Sequence, residues 1–112
     1  MSEDCIFCKI IKGDIPSAKV YEDDKMIAIN DVAPVAPVHI LLMPKIHTAN
    51  VTTAAPELLG YMLGKVKQIT EKAGIAEKGF RVVINTGDDG GQTVKHLHIH
   101  IIGGKALGWP PC

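Results

Sequence analysis

The sequence has few aromatic residues, no excess of charge of either sign and no long apolar run. Among 112 residues there are only two Phe, two Tyr and one Trp, and 12 Lys and Arg balance 12 Asp and Glu. Zero net charge argues against general binding to nucleic acid or to a membrane surface, which needs a basic excess. No segment approaches the roughly 20 apolar residues of a membrane span, and the acidic start of the chain is unlike a secretory signal. We therefore expect a cytoplasmic protein with no nucleic-acid or membrane partner.

Cysteine is also scarce, at positions Cys5, Cys8 and Cys112. An odd count does not suit a disulfide scaffold, and a chain of this length can bury a core without one. Hydrophobic residues make up 46% and charged residues 21% of the composition, which is typical of a globular protein. The length predicts a single domain over residues 1–112.

Hydrophobic spacing and the positions of Gly and Pro predict an α+β fold. Strands joined by short polar turns indicate an antiparallel sheet of about five strands with one long helix packed on it. A second, short helix is expected at the N-terminus. The predicted elements are a helix over 6–11 stopped by Gly13, a long helix from Pro56 to Gly74, and strands at 19–21, 26–30, 39–43, 80–85 and 94–102.

The segment 96–102 reads His-Leu-His-Ile-His-Ile-Ile and is the most informative part of the chain. On a strand, His96, His98 and His100 point to one face and the apolar residues between them to the other. Neighbouring imidazoles then lie about 6.5–7 Å apart, so adjacent pairs can share a phosphate or a metal. Buried imidazoles need hydrogen-bond partners, and a row of them is poorly explained by packing alone. We interpret the row as a functional site.

A glycine-rich loop, residues 85–93, leads into this strand. Glycines let bare backbone N–H groups approach an anion, and Gln92 and Thr93 add neutral donors. The loop lacks the Gly-Lys-Ser/Thr ending of a Walker loop. Such a loop alone is more often a hairpin connection, but beside the imidazole row it predicts a phosphate-binding site.

The pair Cys5 and Cys8 forms a C-x-x-C motif, for which metal binding and redox chemistry are the usual functions in a reducing compartment. A redox dithiol normally opens a helix after a strand, and no strand is predicted before this pair. Zinc prefers four nitrogen or sulfur ligands, and His47 and His96 could complete a Cys₂His₂ site. Two ordinary reduced cysteines are the alternative.

Taken together, these segments resemble the histidine-triad (HIT) family. The run 96–102 matches its signature His-φ-His-φ-His-φ-φ, where φ is apolar. The Fhit-like dinucleoside polyphosphate hydrolases usually carry Gln where this chain has His100, whereas the ending Trp-Pro-Pro resembles the Hint branch, the histidine-triad nucleotide-binding proteins. The resemblance also covers Ile6-Phe7-Cys8-Lys9-Ile10, Ala36-Pro37-Val38-His39, Asn85, Gly90-Gly91-Gln92-Thr93 and Trp109-Pro110-Pro111.

The resemblance implies a HIT-like fold whose sheet extends across a homodimer. It implies a purine nucleoside phosphoramidase that hydrolyses AMP-like nucleoside 5′-phosphoramidates through a nucleotidyl-His98 intermediate, with no cofactor required for the chemistry. His100 would hold phosphate oxygens, and His39 would orient His98 through its other ring nitrogen. Thr93, in the place of a family serine, would help to protonate the leaving amine.

The implied nucleotide site draws on several parts of the chain. Asp31 would bind ribose hydroxyls, and Asn30 stands where some relatives carry histidine. Apolar side chains would enclose the base, and the glycine-rich loop would hold the phosphate. The implied nucleotide-binding residues are Phe7, Ile10, Ile29, Asn30, Asp31, Asn85, Gly91, Gln92, Thr93, His98 and His100.

The resemblance also implies a structural zinc. Some bacterial-type relatives carry zinc ligands that match Cys5, Cys8, His47 and His96, and such a site would tether the N-terminal helix to the sheet. Three alternatives to a phosphoramidase stay open. They are a hydrolase of dinucleoside polyphosphates or other nucleotide conjugates, a zinc hydrolase with His98 and His100 on a catalytic metal, and a nucleotide-binding or partner-binding module with weak catalysis.

Overall fold

The structure is a computed structural model that describes residues 4–111 of the chain, and the C-terminal Cys112 lies outside the described residues. It has an α+β fold in which one sheet separates helices on its two faces. In chain order the elements are α1 (Ile6–Lys12), β1 (Lys19–Glu22), β2 (Met26–Asn30), β3 (Val38–Pro44), α2 (Pro56–Gly64), α3 (Val66–Lys72), β4 (Phe80–Val83) and β5 (Ile99–Gly103).

The predicted five-stranded antiparallel sheet is confirmed, with the order β1-β2-β3-β5-β4. The central strand β3 pairs with β2 on one side and with β5 on the other, so that Leu41 lies opposite both Ile29 and His100. Strand β4 pairs with the other side of β5 and forms one edge of the sheet. The histidine strand therefore lies inside the sheet, between β3 and β4.

Two hydrophobic clusters pack on opposite faces of the sheet. On one face, Ile99 and Ile101 of β5 pack with Met62 of α2 and Ile69 of α3. On the other face, Leu41 and its neighbours pack with α1, which contains Cys8, and with Cys5 at the N-cap of that helix. Four successive residues of β2, from Met26 to Ile29, are consequently buried, because a strand covered on both faces has no solvent side.

Glycine and proline lie at the helix ends as predicted, but the predicted long helix is interrupted. Gly13 and Gly74 adopt φ of 87° and 77°, the left-handed conformation that ends a helix at little cost for glycine. The predicted single helix is instead α2 and α3, separated at Lys65. The N–H of Lys65 reaches the carbonyl of Met62, three residues back, next to Gly64, a residue type that weakens helices.

The last strand is shorter than predicted. Strand β5 begins at Ile99 rather than at 94, and β4 ends at Val83 rather than at 85. His96 and His98 therefore precede the hydrogen-bonded ladder, and only His100 belongs to it. Their side chains nevertheless alternate as on a strand, since Leu97 packs with Ile99 on the opposite face.

Within the described residues 4–111, no helix is both long enough and apolar enough to cross a membrane.

Candidate functional site

A cavity of about 200 Å³ opens on the face of the sheet that carries the histidines. Helix α1, the end of β2, the middle of β3 and the segment leading into β5 form its walls. Eight residues of the predicted nucleotide site line it, and its full lining is Ile6, Phe7, Ile10, Ile29, Asn30, Asp31, Val32, Leu41, Thr93, Val94, His98 and His100.

The ring of His98 is held with one nitrogen toward the backbone. Its Nδ1 lies 2.7 Å from the carbonyl oxygen of His96. A carbonyl can only accept, so Nδ1 carries the proton and Nε2 keeps its lone pair. The edge of Phe7 packs against the ring, with 4.9 Å between centroids. His98 is thus a buried imidazole on the cavity wall whose Nε2 is available as a nucleophile.

His39 contacts His100 and not His98, so the expectation that it orients His98 is wrong in this structure. The Nε2 of His39 lies 2.9 Å from the Nδ1 of His100. The register explains the difference, because His39 lies opposite Ile102 and is therefore a diagonal neighbour of His100 on the same face. His98 lies beyond the end of that ladder, and its Nδ1 already has a backbone partner.

The hydrogen bonds around His39 also fix the proton on His100. The backbone N–H of Val35 donates to the Nδ1 of His39 at 3.2 Å, which leaves the proton on the His39 Nε2. The Nε2 of His39 lies 3.4 Å from the Oδ2 of Asp31, and its N–H donates to the Nδ1 of His100. His100 consequently bears its own proton on Nε2, in the form that can donate to a ligand.

Burial keeps His100 uncharged at neutral pH. Desolvation lowers the pKa of His100 to about 4, the neighbouring His98 and His39 rings add to the shift, and Asp31 opposes it. The ring is therefore a neutral hydrogen-bond donor on the cavity wall rather than a fixed cation.

The side chain of Gln92 braces the glycine-rich loop, which corrects the expectation that it binds phosphate. Its Nε2 donates to the carbonyls of Ala49 at 2.6 Å and Val94 at 3.0 Å, and its Oε1 accepts from the N–H of Gly87 at 3.0 Å. The residue is 5% exposed. Its polar atoms are thus engaged within the protein.

Asn85 and Gly91 shape the same loop without lining the cavity. The Nδ2 of Asn85 donates to the carbonyl of Gly90 at 2.7 Å. A Cβ on Gly90 would lie 2.3 Å from the carbonyl oxygen of Thr86, so only glycine fits there. Gly91 adopts φ of 78°, which favours glycine. This loop delivers Thr93 to the cavity wall.

A second site lies beside the first, where Cys5, Cys8, His47 and His96 converge. One potential ligand atom from each residue lies within 4.8 Å of all the others. The Nδ1 of His96 is 3.4 Å from the Sγ of Cys5 and 3.6 Å from the Sγ of Cys8. The Nδ1 of His47 is 3.3 Å from the Sγ of Cys8. The two Nδ1 atoms are 3.1 Å apart.

These separations fit a tetrahedral metal ion. Zinc-to-ligand distances of about 2.3 Å for sulfur and 2.0–2.1 Å for nitrogen place nitrogens about 3.3 Å apart and sulfur about 3.6 Å from nitrogen. The Nε2–H of His96 donates to the carbonyl of Pro44 at 2.9 Å, the kind of outer contact that orients a metal-binding imidazole. Burial lowers the pKa of His96, against the effect of the Pro44 carbonyl, and so favours the neutral ring that binds metals.

The arrangement does not favour a catalytic metal on His98. Among residues 4–111, the one other group of three potential ligands is Asp31, His39 and His100, which excludes His98. A metal on the Nε2 of His39 would force its proton onto Nδ1, where the N–H of Val35 already donates.

Sequence reasoning missed four cavity residues: Ile6, Val32, Leu41 and Val94. Each had a usable signal. Leu41 lies two residues from His39 on the same strand and shares its face, and the other three are chain neighbours of Phe7, Asp31 and Thr93.

Comparison with known proteins gives a family match over most of the chain. The HIT domain matches residues 12–107. Among relatives, the 14 kDa zinc-binding protein of Zea mays is 46% identical over 95% of this chain and 86% of its own. The adenylylsulfatase HINT1 of Arabidopsis thaliana is 46% identical over 95% of this chain and 75% of its own.

A solved structure agrees with the fold. The HIT family hydrolase from Legionella pneumophila Philadelphia 1 superposes with a TM-score of 0.94 and 40% identity, covering 97% of this chain and all of the other. At that identity the likeness extends to sequence as well as to fold.

Proposed function

The chain belongs to the HIT domain family, and we propose that this HIT-family nucleotide hydrolase cleaves purine nucleoside 5′-phosphoramidates through a nucleotidyl-His98 intermediate. The observation that carries the proposal is the fixed tautomer of His98. Its Nδ1–H donates to the carbonyl of His96, and its Nε2 lone pair is thereby available to a phosphorus atom in the cavity.

In the first step, the Nε2 of His98 forms a bond to phosphorus and the phosphorus–nitrogen bond of the substrate breaks. The leaving amine keeps the electron pair and takes a proton, for which the Thr93 hydroxyl on the cavity wall is the proposed donor. The ring of His98 becomes positively charged, and the carbonyl of His96 stabilises that charge. In the second step, water bonds to phosphorus and returns a proton to the Thr93 oxygen, while the Nε2–phosphorus bond breaks. The nucleoside monophosphate leaves, and His98 returns to its neutral form.

His100 is the proposed donor to the phosphate oxygens during both steps. Its Nε2–H is held ready because Nδ1 accepts from His39, and burial strengthens a hydrogen bond to developing negative charge. The backbone N–H of Thr93, which lines the cavity at the end of the glycine-rich loop, is the proposed second donor, and Asn85 and Gln92 support the conformation of that loop.

The cavity wall suggests how the nucleoside is bound. Phe7, Ile10 and Ile29 are apolar and buried, which suits a base. Asp31 presents a carboxylate at the rim that could accept from ribose hydroxyls, with Asn30 beside it. No metal is needed for the proposed chemistry.

The test is a single-turnover reaction with an adenosine phosphoramidate, followed by intact-protein mass spectrometry. We expect an acid-labile adduct of one nucleotidyl group that is absent in His98→Ala. Full turnover by His98→Ala would contradict the mechanism. Because a relative bears the name adenylylsulfatase, adenylyl sulfate and a dinucleoside polyphosphate belong in the same panel. If the protein preferred either of these two substrates, His98 would remain the proposed nucleophile and the proposed substrate class would change.

We also propose that Cys5, Cys8, His47 and His96 hold a structural zinc. The distances between their ligand atoms and the outer contact to Pro44 support it, and a relative is named a zinc-binding protein. Such a site requires reduced cysteines, which suits the proposed cytoplasmic location. Protein purified without chelator should contain close to one zinc per chain by elemental analysis. Less than about half of that amount would count against the site.

A homodimer is proposed from the edge of the sheet. Strand β4 is an edge strand, and its Phe80 and Val82 are exposed apolar residues, as is Trp109 in the C-terminal segment. Pairing of two β4 edges would extend the sheet and cover these side chains. Light scattering at micromolar concentration should give the mass of two chains, and a monomer would contradict the proposal.

A further inference from the structure

The segment that carries His98 lacks the support that the sheet gives to His100. Residues 96–98 precede β5 and have no partner in its ladder. The N–H of Leu97 donates to the carbonyl of Thr48 at 2.7 Å, which joins this segment to the one that carries His47. The position of His98 therefore depends on contacts made by the neighbouring residues 96 and 97.

His96 is the residue through which the metal-binding cluster reaches His98. Its backbone carbonyl receives the proton of the His98 ring at 2.7 Å. Its own ring is fixed at both nitrogens, by the Pro44 carbonyl at Nε2 and by Cys5, Cys8 and His47 around Nδ1. Because the ring and the carbonyl belong to the same residue, holding the ring in the cluster also restricts the backbone carbonyl that sets the tautomer of His98.

Phe7 forms a second connection between the two sites. It lies between the two cysteines in sequence, and its ring contacts His96 and His98 edge to face, at 5.9 Å and 4.9 Å. The Sγ of Cys5 also accepts from the N–H of Cys8 at 3.4 Å and so caps the start of α1. The cysteines therefore fix both α1 and the ring of Phe7, which contacts His98.

We propose that Cys5, Cys8 and His47 are positioning residues for the reaction: by holding a metal ion together with His96, they fix the His96 carbonyl and the Phe7 ring that orient His98. The inference rests on the proposed function and adds to the structural role of the metal. None of the three needs to touch substrate, and two of them, Cys5 and Cys8, flank a residue that lines the cavity.

The decisive variant is His47→Gln, because the His47 side chain does not line the cavity and its printed contacts are with Cys8 and His96 of the cluster. Its matched control is Ile46→Ala, a neighbour that is 66% exposed. For both, the rate constant and the amplitude of nucleotidyl-His98 formation are measured in single-turnover reactions with an adenosine phosphoramidate. We expect the rate constant of His47→Gln to fall by about 10- to 100-fold, the size of effect known for contacts that act on a reactive group through a neighbouring residue of a metal site. The amplitude per total chain should be preserved, and Ile46→Ala should match the wild type.

A merely structural role predicts the reverse, a smaller amplitude at an unchanged rate constant, and that result would overturn the inference while leaving the proposed function intact. The absence of any adduct in the wild type would overturn the proposed function and the inference with it.

A second measurement needs no turnover. The wild-type protein is loaded with Co²⁺, whose visible absorption reports on its ligands, and titrated with AMP. Because coupling between two sites is reciprocal, binding of AMP beside His98 should shift the Co²⁺ bands and tighten Co²⁺ binding. Bands and affinity that AMP leaves unchanged would overturn the inference.

Discussion

His98 and His100 lie two residues apart on one face of the molecule, yet different structures hold them. His100 lies in β5, paired with Leu41 on one side and with Val83 on the other. His98 lies just before the ladder and is held by the carbonyl of His96 and the ring of Phe7.

The difference assigns separate tasks to the two rings. Backbone pairing fixes His100 together with the hydrophobic core behind it, so His100 should respond to changes that affect the sheet. The contacts of His98 come instead from the ring of Phe7 and from the backbone of His96, a member of the cluster of Cys5, Cys8, His47 and His96.

The largest expected effect follows from removing His98, the proposed nucleophile. His98→Ala should lower kcat/KM for an adenosine phosphoramidate by about 10⁴-fold or more, because no other group takes over bond formation to phosphorus. Steady-state kinetics and the intact mass after reaction measure it. Thermal unfolding serves as the control, since His98 makes no ladder hydrogen bond. If His98→Ala lost both its activity and its folded structure, the result would not support separate roles for His98 and His100.

A smaller effect is expected at His100, which in the proposed mechanism supplies a hydrogen bond and no covalent bond. His100→Ala should lower kcat by about 10²–10³-fold, as for removal of one donor to developing negative charge. His100→Gln should lose less, because its amide N–H can replace the imidazole Nε2–H. Pre-steady-state mass spectrometry should still detect the adduct on His98 in both variants. If the adduct were absent from both, the two rings would not have the separate tasks assigned to them.

The opposite face of β5 should affect stability rather than chemistry. Ile101 is fully buried in the cluster under the helices α2 and α3. Ile101→Ala should lower the free energy of unfolding by about 2–5 kcal/mol, the usual cost of removing such a side chain from a core. Denaturant titration measures this loss, and the exposed Ile46→Ala should change it by less than about 0.5 kcal/mol. The single-turnover rate constant per folded chain should stay unchanged, and a large fall would mean that the core also sets the geometry of the site.

The sequence predicted the sheet, the helices and the shared face of the three histidines because these follow from local patterns. Alternation along 96–102 places Leu97, Ile99 and Ile101 on one face even where no ladder forms. The start of β5 was predicted five residues early, because the same alternation does not reveal whether a partner strand is present. The interruption at Lys65 was missed for a similar reason, since the apolar spacing continues across it.

The candidate site could be predicted as a list of residues but not as a set of contacts. The ligand preference of zinc and the resemblance to the family named His47 as a candidate partner for the two cysteines, although it lies 39 residues from Cys8. The partner of His39 depends on the register of β3 against β5, and no local pattern gives that register. The role of Gln92 depends on the path of the segment containing Ala49, which sequence spacing does not reveal either.

The smallest expected effect is the part of the pH dependence of stability that comes from the titration of His100. Burial lowers its pKa to about 4 in the folded protein, against about 6.5 in an unfolded chain. Between these two values the unfolded chain binds a proton that the folded chain does not, so the free energy of unfolding falls as the pH falls. Because the ring is partly exposed, we expect a loss of about 2 kcal/mol across this range, complete near pH 4 and absent above pH 7.

Urea titrations of the wild type and of His100→Gln across this range isolate the effect, because Gln does not titrate. Burial also lowers the pKa of His96, but that contribution is common to both proteins and cancels in their difference. The wild type should lose more stability on acidification than the variant. Equal slopes would mean that His100 titrates in the folded protein as it does in the unfolded chain. The sheet would then not hold the His100 ring as a neutral donor. His98 and His100 would differ only in their positions relative to the strand ladder.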